Sequence, residues 1–181
     1  MKLAKFFFIG VLVICAVNVQ AKTYLTKKDF LAMAFSQDNT STSESGETIE
    51  PEKKTLWLDD ELQSRIRAII DHNYPKLRLK YWQKNNQTVW FLDKIGKERP
   101  ISFGISIQNN KVDLIRVLAF RESRGGEIRM QSFTEQFNNI SIDENNKLDQ
   151  SIDGITGATM SVNAMKKITR MALMLDKLVN Q

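Results

Sequence analysis

Between residues 77 and 120 the chain has four short runs typical of strands, with apolar and polar side chains alternating over 77–82 and 101–108, and this pattern constrains the fold more than any other feature of the chain. A period of two residues is typical of a strand with one buried face. Asparagine pairs at 85–86 and 109–110 mark turns, which favours two successive hairpins. The sequence therefore predicts an antiparallel sheet of about four strands. The predicted strands cover residues 77–82, 88–95, 101–108 and 112–120.

Further stretches have the spacing of amphipathic helices and predict an α+β fold, in which helices pack against the sheet. The first is a short N-terminal helix within 22–36, which begins at Thr26 with a sequence similar to a capping box. The others cover 58–72, 128–137 and 162–179, and the last of these is the C-terminal helix.

Residues 1–21 have the features of a signal peptide. Two lysines precede an apolar run over 6–17, which is shorter than the roughly 20 residues that span a bilayer. The sequence Val-Gln-Ala ends at residue 21 and places small residues at the two positions that determine cleavage. We therefore expect a mature chain that begins at Lys22 and is exported to the periplasm. If the segment is not cleaved, it anchors the protein to the membrane instead.

A polar segment separates the N-terminal helix from the predicted domain. Residues 37–51 are rich in Ser, Thr and Glu and contain almost no apolar side chain, a composition typical of a mobile linker. We assign residues 37–56 to a flexible linker and residues 57–181 to one folded domain.

Charge and cysteine content exclude several classes of function. The formal net charge is +5, or +3 without the two lysines of the predicted signal peptide. In an exported domain this charge suits anionic ligands, membrane headgroups or acidic redox partners, or is that of an ordinary solvated surface, so we predict no nucleic-acid partner. Cys15 is the only cysteine and lies in the predicted signal peptide, so the mature domain has no disulfide and no thiol site. The sequence shows no catalytic triad and no set of metal ligands. Any redox chemistry therefore depends on an added cofactor.

The loop 153–159 is the strongest candidate for a functional site. Its small residues let the backbone approach a ligand closely, and Gly157 can adopt the positive φ angles that other residues avoid. Thr159 stands where the loop meets the last amphipathic segment, which predicts that it is the N-cap of the C-terminal helix. A helix N-terminus presents unpaired N–H groups and partial positive charge to a phosphate. The loop is thus suited to hold a phosphorylated ligand beside a hydroxyl group.

The same loop, Asp-Gly-Ile-Thr-Gly-Ala-Thr, resembles the Asp-x-x-(Ser/Thr)-Gly-Ala-Thr motif of the FMN-binding domain family. In that family, a flavin transferase attaches FMN to the last threonine through a phosphoester bond. The resemblance implies that Thr159 is the flavinylated residue. It also implies that Asp153, Thr156, Gly157 and Ala158 complete the motif that the transferase recognises.

A second loop, at the end of the last predicted strand, is similar to another element of this family. There, a Glu-Thr-x-Gly-like loop lies against the flavin, and the sequence Glu122-Ser123-Arg124-Gly125 is its counterpart here. Ser123 replaces the more common threonine and keeps the hydroxyl group. The resemblance implies that Glu122, Ser123 and Gly125 contact the cofactor. Read without the resemblance, the same residues are a polar turn with a glycine.

The resemblance implies a periplasmic electron-transfer flavoprotein domain that carries covalent FMN, and an electron carrier rather than a self-sufficient enzyme. Its implied partners are the flavin transferase and electron donors and acceptors in the membrane or periplasm, such as flavoproteins or cytochromes. Two alternatives stay open. One is a non-flavinylated adaptor or anionic-ligand-binding module of a membrane redox complex, and the other is a flavin-dependent reductase.

Overall fold

The computed structural model describes residues 22–36 and 50–180 of the chain. Its sheet is antiparallel throughout, and the strands follow the spatial order β1-β6-β5-β4-β3-β2 once they are numbered along the chain. The strands are β1 (Lys22–Thr23), β2 (Glu52–Trp57), β3 (Arg78–Lys84), β4 (Gln87–Ile95), β5 (Pro100–Gln108) and β6 (Lys111–Phe120).

Within residues 22–36 and 50–180, four α-helices accompany the sheet, and two 3₁₀ turns flank the shortest of them. The helices are α1 (Lys27–Ser36), α2 (Asp60–Ile70), α3 (Gln131–Thr134) and α4 (Thr159–Val179). The 3₁₀ turns cover Gly126–Arg129 and Glu135–Phe137, so the helix predicted over 128–137 is a series of short turns.

The predicted α+β architecture is confirmed, and the four predicted strands correspond to β3, β4, β5 and β6. Two edge strands were not predicted. β2 lies within the range assigned to the linker, because its side chains are mostly polar and exposed and show little apolar alternation. β1 contains two residues, which is too short for any sequence pattern. The linker prediction is therefore wrong for residues 52–56, while residues 37–49 lie outside the described part of the chain.

Strand alternation divides the apolar side chains between two faces of the sheet. One face packs against α2 and α4, which bury Ile66 and Met165 completely against strand residues such as Ile105. The other face packs against α1 and includes Val89 and Phe91 of β4. The sheet is thus a central layer with helices on both sides.

Helix α1 is fixed to the sheet although it precedes the predicted domain. Thr26 caps its start, since the Thr26 hydroxyl accepts the Asp29 N–H at 3.1 Å and donates to the Asp29 carboxylate at 2.6 Å. Phe30 is fully buried. Its ring packs on Gly104, where an added Cβ would lie 2.9 Å from the ring atoms. Full burial of a phenylalanine contributes about 2 kcal/mol, so the N-terminal segment is part of the fold.

Helix α2 is shorter than the predicted range of 58–72. The Asp59 carboxylate accepts the Leu62 N–H at 2.8 Å and caps the helix, which then runs from Asp60. It ends after Ile70, where Asp71 adopts a left-handed conformation with φ of 68°. Helices commonly begin after a capping side chain and end at a left-handed residue. Both features lie inside the predicted range, so the helix is shorter than predicted.

No helix in the ranges 22–36 and 50–180 is long and apolar enough to cross a membrane. The predicted signal peptide at residues 1–21 lies outside the described residues.

Candidate functional site

Two neighbouring cavities open at the edge of the molecule where β6 ends and α4 begins. The larger has a volume of about 850 Å³ and the smaller about 490 Å³. Four residues line both cavities, namely Glu122, Ser123, Arg124 and Gly157. The structure therefore brings the two loops singled out in the sequence, 122–125 and 153–159, to one place.

Thr159 lines the smaller cavity, and its position differs from the predicted one. It is the first residue of α4, and the N-cap is Ala158, which has no side chain to cap the helix. The chain reaches the helix through a turn at Thr156 and Gly157, in which the Ala158 N–H donates to the Ile155 carbonyl at 2.9 Å. The prediction that Thr159 caps α4 is wrong, because this turn places it one residue too far along.

The Thr159 side chain is exposed and forms no hydrogen bond with any residue that the structure describes. The first hydrogen bond of α4 runs from the Val162 N–H to the Ala158 carbonyl at 3.0 Å. The N–H groups of Thr159, Met160 and Ser161 precede that bond and lie at the positive end of the helix dipole. An accessible hydroxyl and a group of free backbone donors thus share one cavity.

Gly157 has a φ of 79°, which favours glycine, and no atom lies within 4 Å of the position that its Cβ would occupy. The turn before α4 therefore leaves open space on the side of both cavities. Thr156 lines the larger cavity and Ala158 lines the smaller one.

Gly125 brings the second loop into close contact with α4. Its φ is 82°, and a Cβ there would lie 2.7 Å from the Ser161 Oγ and 3.2 Å from the Ala158 Cβ. Only a residue without a side chain allows this approach. The contact fixes the loop 122–125 against the first turn of α4 and forms the partition between the cavities.

Glu122 uses its carboxylate to hold the turn between β4 and β5. Its Oε1 accepts the backbone N–H groups of Lys97, Glu98 and Arg99 at 2.6, 2.8 and 2.9 Å. Burial raises the pKa of this carboxyl, but the three hydrogen bonds outweigh burial and leave the pKa of Glu122 below its ordinary value. The charged side chain therefore shapes the cavity wall by fixing a neighbouring turn.

Asp153 is not among the residues that line these two cavities. Its side chain is exposed, and its backbone N–H donates to the Gln136 Oε1 at 2.8 Å. The structure thus places Asp153 on the outer side of the loop, where a second protein can reach it.

The larger cavity also has a wall that sequence reasoning missed. Tyr24, Phe120, Arg129 and Met130 line it together with the glycines at 125 and 126. Tyr24 belongs to the segment that follows β1, far from the two loops in sequence. No pattern in the sequence pairs residue 24 with residue 129, because the contact depends on β1 joining the edge of the sheet beside β6.

Residues 96–174 match the model of the FMN-binding domain, a range that includes both loops and most of α4. Over this range the chain is similar to the FMN-binding domain family, in agreement with the resemblance of the loop 153–159. No curated protein matches the chain.

The residues at the site fit this cofactor. Gly157 leaves open space beside both cavities, and the Thr159 hydroxyl lies beside unpaired N–H groups that suit a phosphate. The larger cavity has aromatic side chains in its wall, which suit a flat ring system. The site can thus hold a phosphate at one end and a ring at the other.

Proposed function

We propose that Thr159 carries FMN through a phosphoester bond and that the protein is an exported electron carrier. The observation that carries the proposal is the exposed Thr159 hydroxyl, which opens on the cavity beside the first turn of α4. The match to the FMN-binding domain supports a flavin-binding electron-transfer module.

In the proposed modification, a P–O bond forms between the Thr159 Oγ1 and the phosphorus of FMN. The donor is an activated form of FMN in which its phosphate is joined to a second phosphate. The P–O bond to that second phosphate breaks, the leaving group departs with the hydroxyl proton, and the chain gains the mass of FMN less one water. A flavin transferase supplies the phosphoryl group and recognises the loop 153–159, on which Asp153 faces outward.

When bound, FMN exchanges one or two electrons and so couples two-electron donors to one-electron acceptors. The protein positions this group. The free N–H groups at the start of α4 stabilise the phosphate by about 0.3–1 kcal/mol. Ser123 and Arg124 line both cavities, so they would lie beside the chain that joins phosphate to ring when FMN is held there.

Covalent attachment suits an exported protein, because a diffusible flavin is lost outside the cytoplasm. The signal-like segment at residues 1–21 is the support for export. The electron donors and acceptors that fit this location are flavoproteins or cytochromes of the membrane or periplasm.

The proposal is tested by co-expression with an active flavin transferase, followed by intact-mass measurement and in-gel flavin fluorescence. Wild type is expected to gain FMN less one water, and Thr159→Ala is expected to gain nothing. Thr55→Ala is the matched control, since Thr55 is an exposed threonine on β2 at the opposite edge of the sheet, and this variant is expected to keep the flavin.

An unmodified wild-type mass in the presence of active transferase contradicts the proposal. That result favours the non-flavinylated adaptor or a module that binds an anionic ligand without a covalent bond. Covalent flavin on Thr159→Ala contradicts the assignment of the acceptor residue.

A further inference from the structure

The wall of the larger cavity contains an exposed arginine whose guanidinium lies near two aromatic rings. The guanidinium carbon of Arg129 lies 4.0 Å from the centre of the Tyr24 ring and 5.8 Å from the centre of the Phe120 ring. Tyr24 lies outside the range 96–174 that matches the FMN-binding domain. The contact therefore joins the N-terminal segment of the chain to the matched range.

Backbone pairing fixes the position of Tyr24. β1 pairs with the end of β6, with Lys22 opposite Phe120 and Thr23 opposite Ala119. The Tyr24 N–H then donates to the Leu118 carbonyl at 2.8 Å. The pairing of β1 with β6 thus holds the Tyr24 ring at the cavity.

The guanidinium of Arg129 is fixed as well. Its Nε donates to the Gly126 carbonyl at 2.9 Å, and a Cβ on Gly126 would lie 2.9 Å from its Nη2. A guanidinium on an aromatic face gains cation–π energy and has little rotational freedom left to lose when a ligand binds. Arg129 is therefore a preorganised donor at the cavity wall.

The charge of Arg129 is not neutralised by an ion pair with any residue in 22–36 or 50–180. Two carboxylates also line the cavity. Glu122 is bound to the turn between β4 and β5, and Glu127 is exposed and forms no ion pair with Arg129. The wall thus offers a fixed positive charge to a ligand that is anionic or becomes anionic.

The isoalloxazine ring of FMN is such a ligand. Two electrons and one proton convert the neutral ring to a monoanion, whose charge lies on the N1–C2=O edge, and charge near N1 is a means by which proteins tune flavins. We propose that Arg129, held by Tyr24 and Phe120, binds this edge and raises the midpoint potential of the flavin by favouring the reduced ring. This inference rests on the proposed function.

The test is a spectroelectrochemical titration of the flavinylated protein, with dithionite as the reductant. Arg129→Gln is expected to have a more negative midpoint potential than wild type. A tenfold loss of preference for the reduced ring corresponds to about 30 mV for a two-electron couple. Arg129→Lys keeps the charge without the flat guanidinium, so its potential is expected to lie between the two.

Arg78→Gln is the matched control for the loss of one positive charge. Arg78 also lies over an aromatic ring, 5.7 Å from the centre of Trp57, but it belongs to β3 near the opposite edge of the sheet. The flavin midpoint potential of Arg78→Gln is expected to equal that of wild type. An equal potential for Arg129→Gln and Arg78→Gln overturns the inference.

Two Tyr24 variants distinguish the effect of the aromatic ring on the midpoint potential from the effect of the Arg129 charge. Tyr24→Phe keeps the ring under the guanidinium and is expected to leave the potential unchanged. Tyr24→Leu removes the ring and is expected to shift the potential in the same direction as Arg129→Gln, by a smaller amount. A shift of equal size in both tyrosine variants assigns the effect to the hydroxyl group and contradicts the role of the ring.

A non-covalent measurement keeps this inference separate from the proposed function. Unflavinylated protein is titrated with riboflavin, which has no phosphate, in its oxidised and dithionite-reduced forms. Arg129→Gln is expected to weaken binding of reduced riboflavin severalfold more than binding of oxidised riboflavin. This result supports the inference even if Thr159 carries no flavin.

Three outcomes of that titration overturn the inference. Equal weakening of both redox forms shows that Arg129 does not distinguish them. A variant that loses affinity for FMN but not for riboflavin shows that Arg129 binds the phosphate. Wild type that binds neither form of riboflavin shows that the cavity does not hold the ring.

Discussion

Thr159 is the first residue of α4, and its side chain contributes little to the stability of the described fold. We expect Thr159→Ala to change the free energy of unfolding by about 0.5 kcal/mol or less, because the hydroxyl has no partner and alanine is the better helix former. Thermal melting of the unflavinylated wild type and variant is the measurement. A loss of 1 kcal/mol or more, roughly the value of an N-cap, shows that Thr159 caps the helix after all.

This expectation makes loss of flavin in Thr159→Ala interpretable. If the variant melts like wild type and carries no flavin, the loss is chemical and not a consequence of unfolding. The sequence predicts the hydroxyl at the start of the helix correctly to within one residue. It does not show that Ala158 takes the N-cap position, since that depends on the turn at Thr156 and Gly157.

At the scale of elements, the site depends on the contact between the loop 122–125 and the first turn of α4. Gly125 and Gly157 form a matched pair, because both have φ near 80° but only Gly125 lies against other atoms. Gly157→Ala is expected to cost only the conformational penalty of about 1 kcal/mol. Gly125→Ala is expected to cost about 2 kcal/mol more, since its Cβ would lie 2.7 Å from the Ser161 Oγ.

Urea unfolding of both variants without flavin measures the difference directly. Adding Ser161→Ala to Gly125→Ala is expected to recover part of the loss, because it removes the nearest atom. Equal costs for the two glycine variants contradict the claim that the loop packs tightly against α4.

The strands that sequence predicts well are β3 to β6, because alternation in β3 and β5, apolar content in β4 and β6, and the asparagine turns between them all indicate two hairpins. The edge strands escape prediction for a physical reason. β2 has solvent on most of its side chains, and β1 is defined by its hydrogen bonds to β6 and not by its own residues. The wall formed by Tyr24 and Arg129 could not be predicted for the same reason, since it depends on where β1 pairs.

At the scale of the molecule, a buried carboxyl joins α4 to the sheet. Asp176 is fully buried, and its Oδ1 accepts hydrogen bonds from the Thr88 hydroxyl at 2.5 Å and from the Asn180 amide at 2.9 Å. Its Oδ2 has no partner among the described residues. Burial raises the pKa of Asp176 to about 6, although both hydrogen bonds lower it. The fold therefore prefers the neutral form of this group.

A raised pKa in the folded state gives stability that is complete below the unfolded value of 3.8 and is lost as pH rises through about 6. The loss by pH 7 is about 3 kcal/mol. We expect the melting temperature to be higher at pH 5.5 than at pH 7.5 and Asp176→Asn to remove this difference. The same pH dependence in Asp176→Asn assigns it to another group.

Two carboxyl groups with lowered pKa values, Glu122 and Asp71, make the fold less stable in acidic solution. The pKa of Glu122 is lowered by its backbone hydrogen bonds, which outweigh burial, and that of Asp71 is lowered mainly by its hydrogen bond to Lys167. These contributions are present above the ordinary pKa of a carboxyl and are lost as pH falls below it. Stability is therefore expected to be greatest in mildly acidic solution.

The central claim is that Thr159 is the residue that carries FMN. Its most direct test is peptide mapping by tandem mass spectrometry of wild-type protein produced with an active flavin transferase. One modified peptide is expected, with an addition of FMN less one water on Thr159. An unmodified Thr159 peptide, or the same addition on Thr156, Ser123 or Ser161, contradicts it.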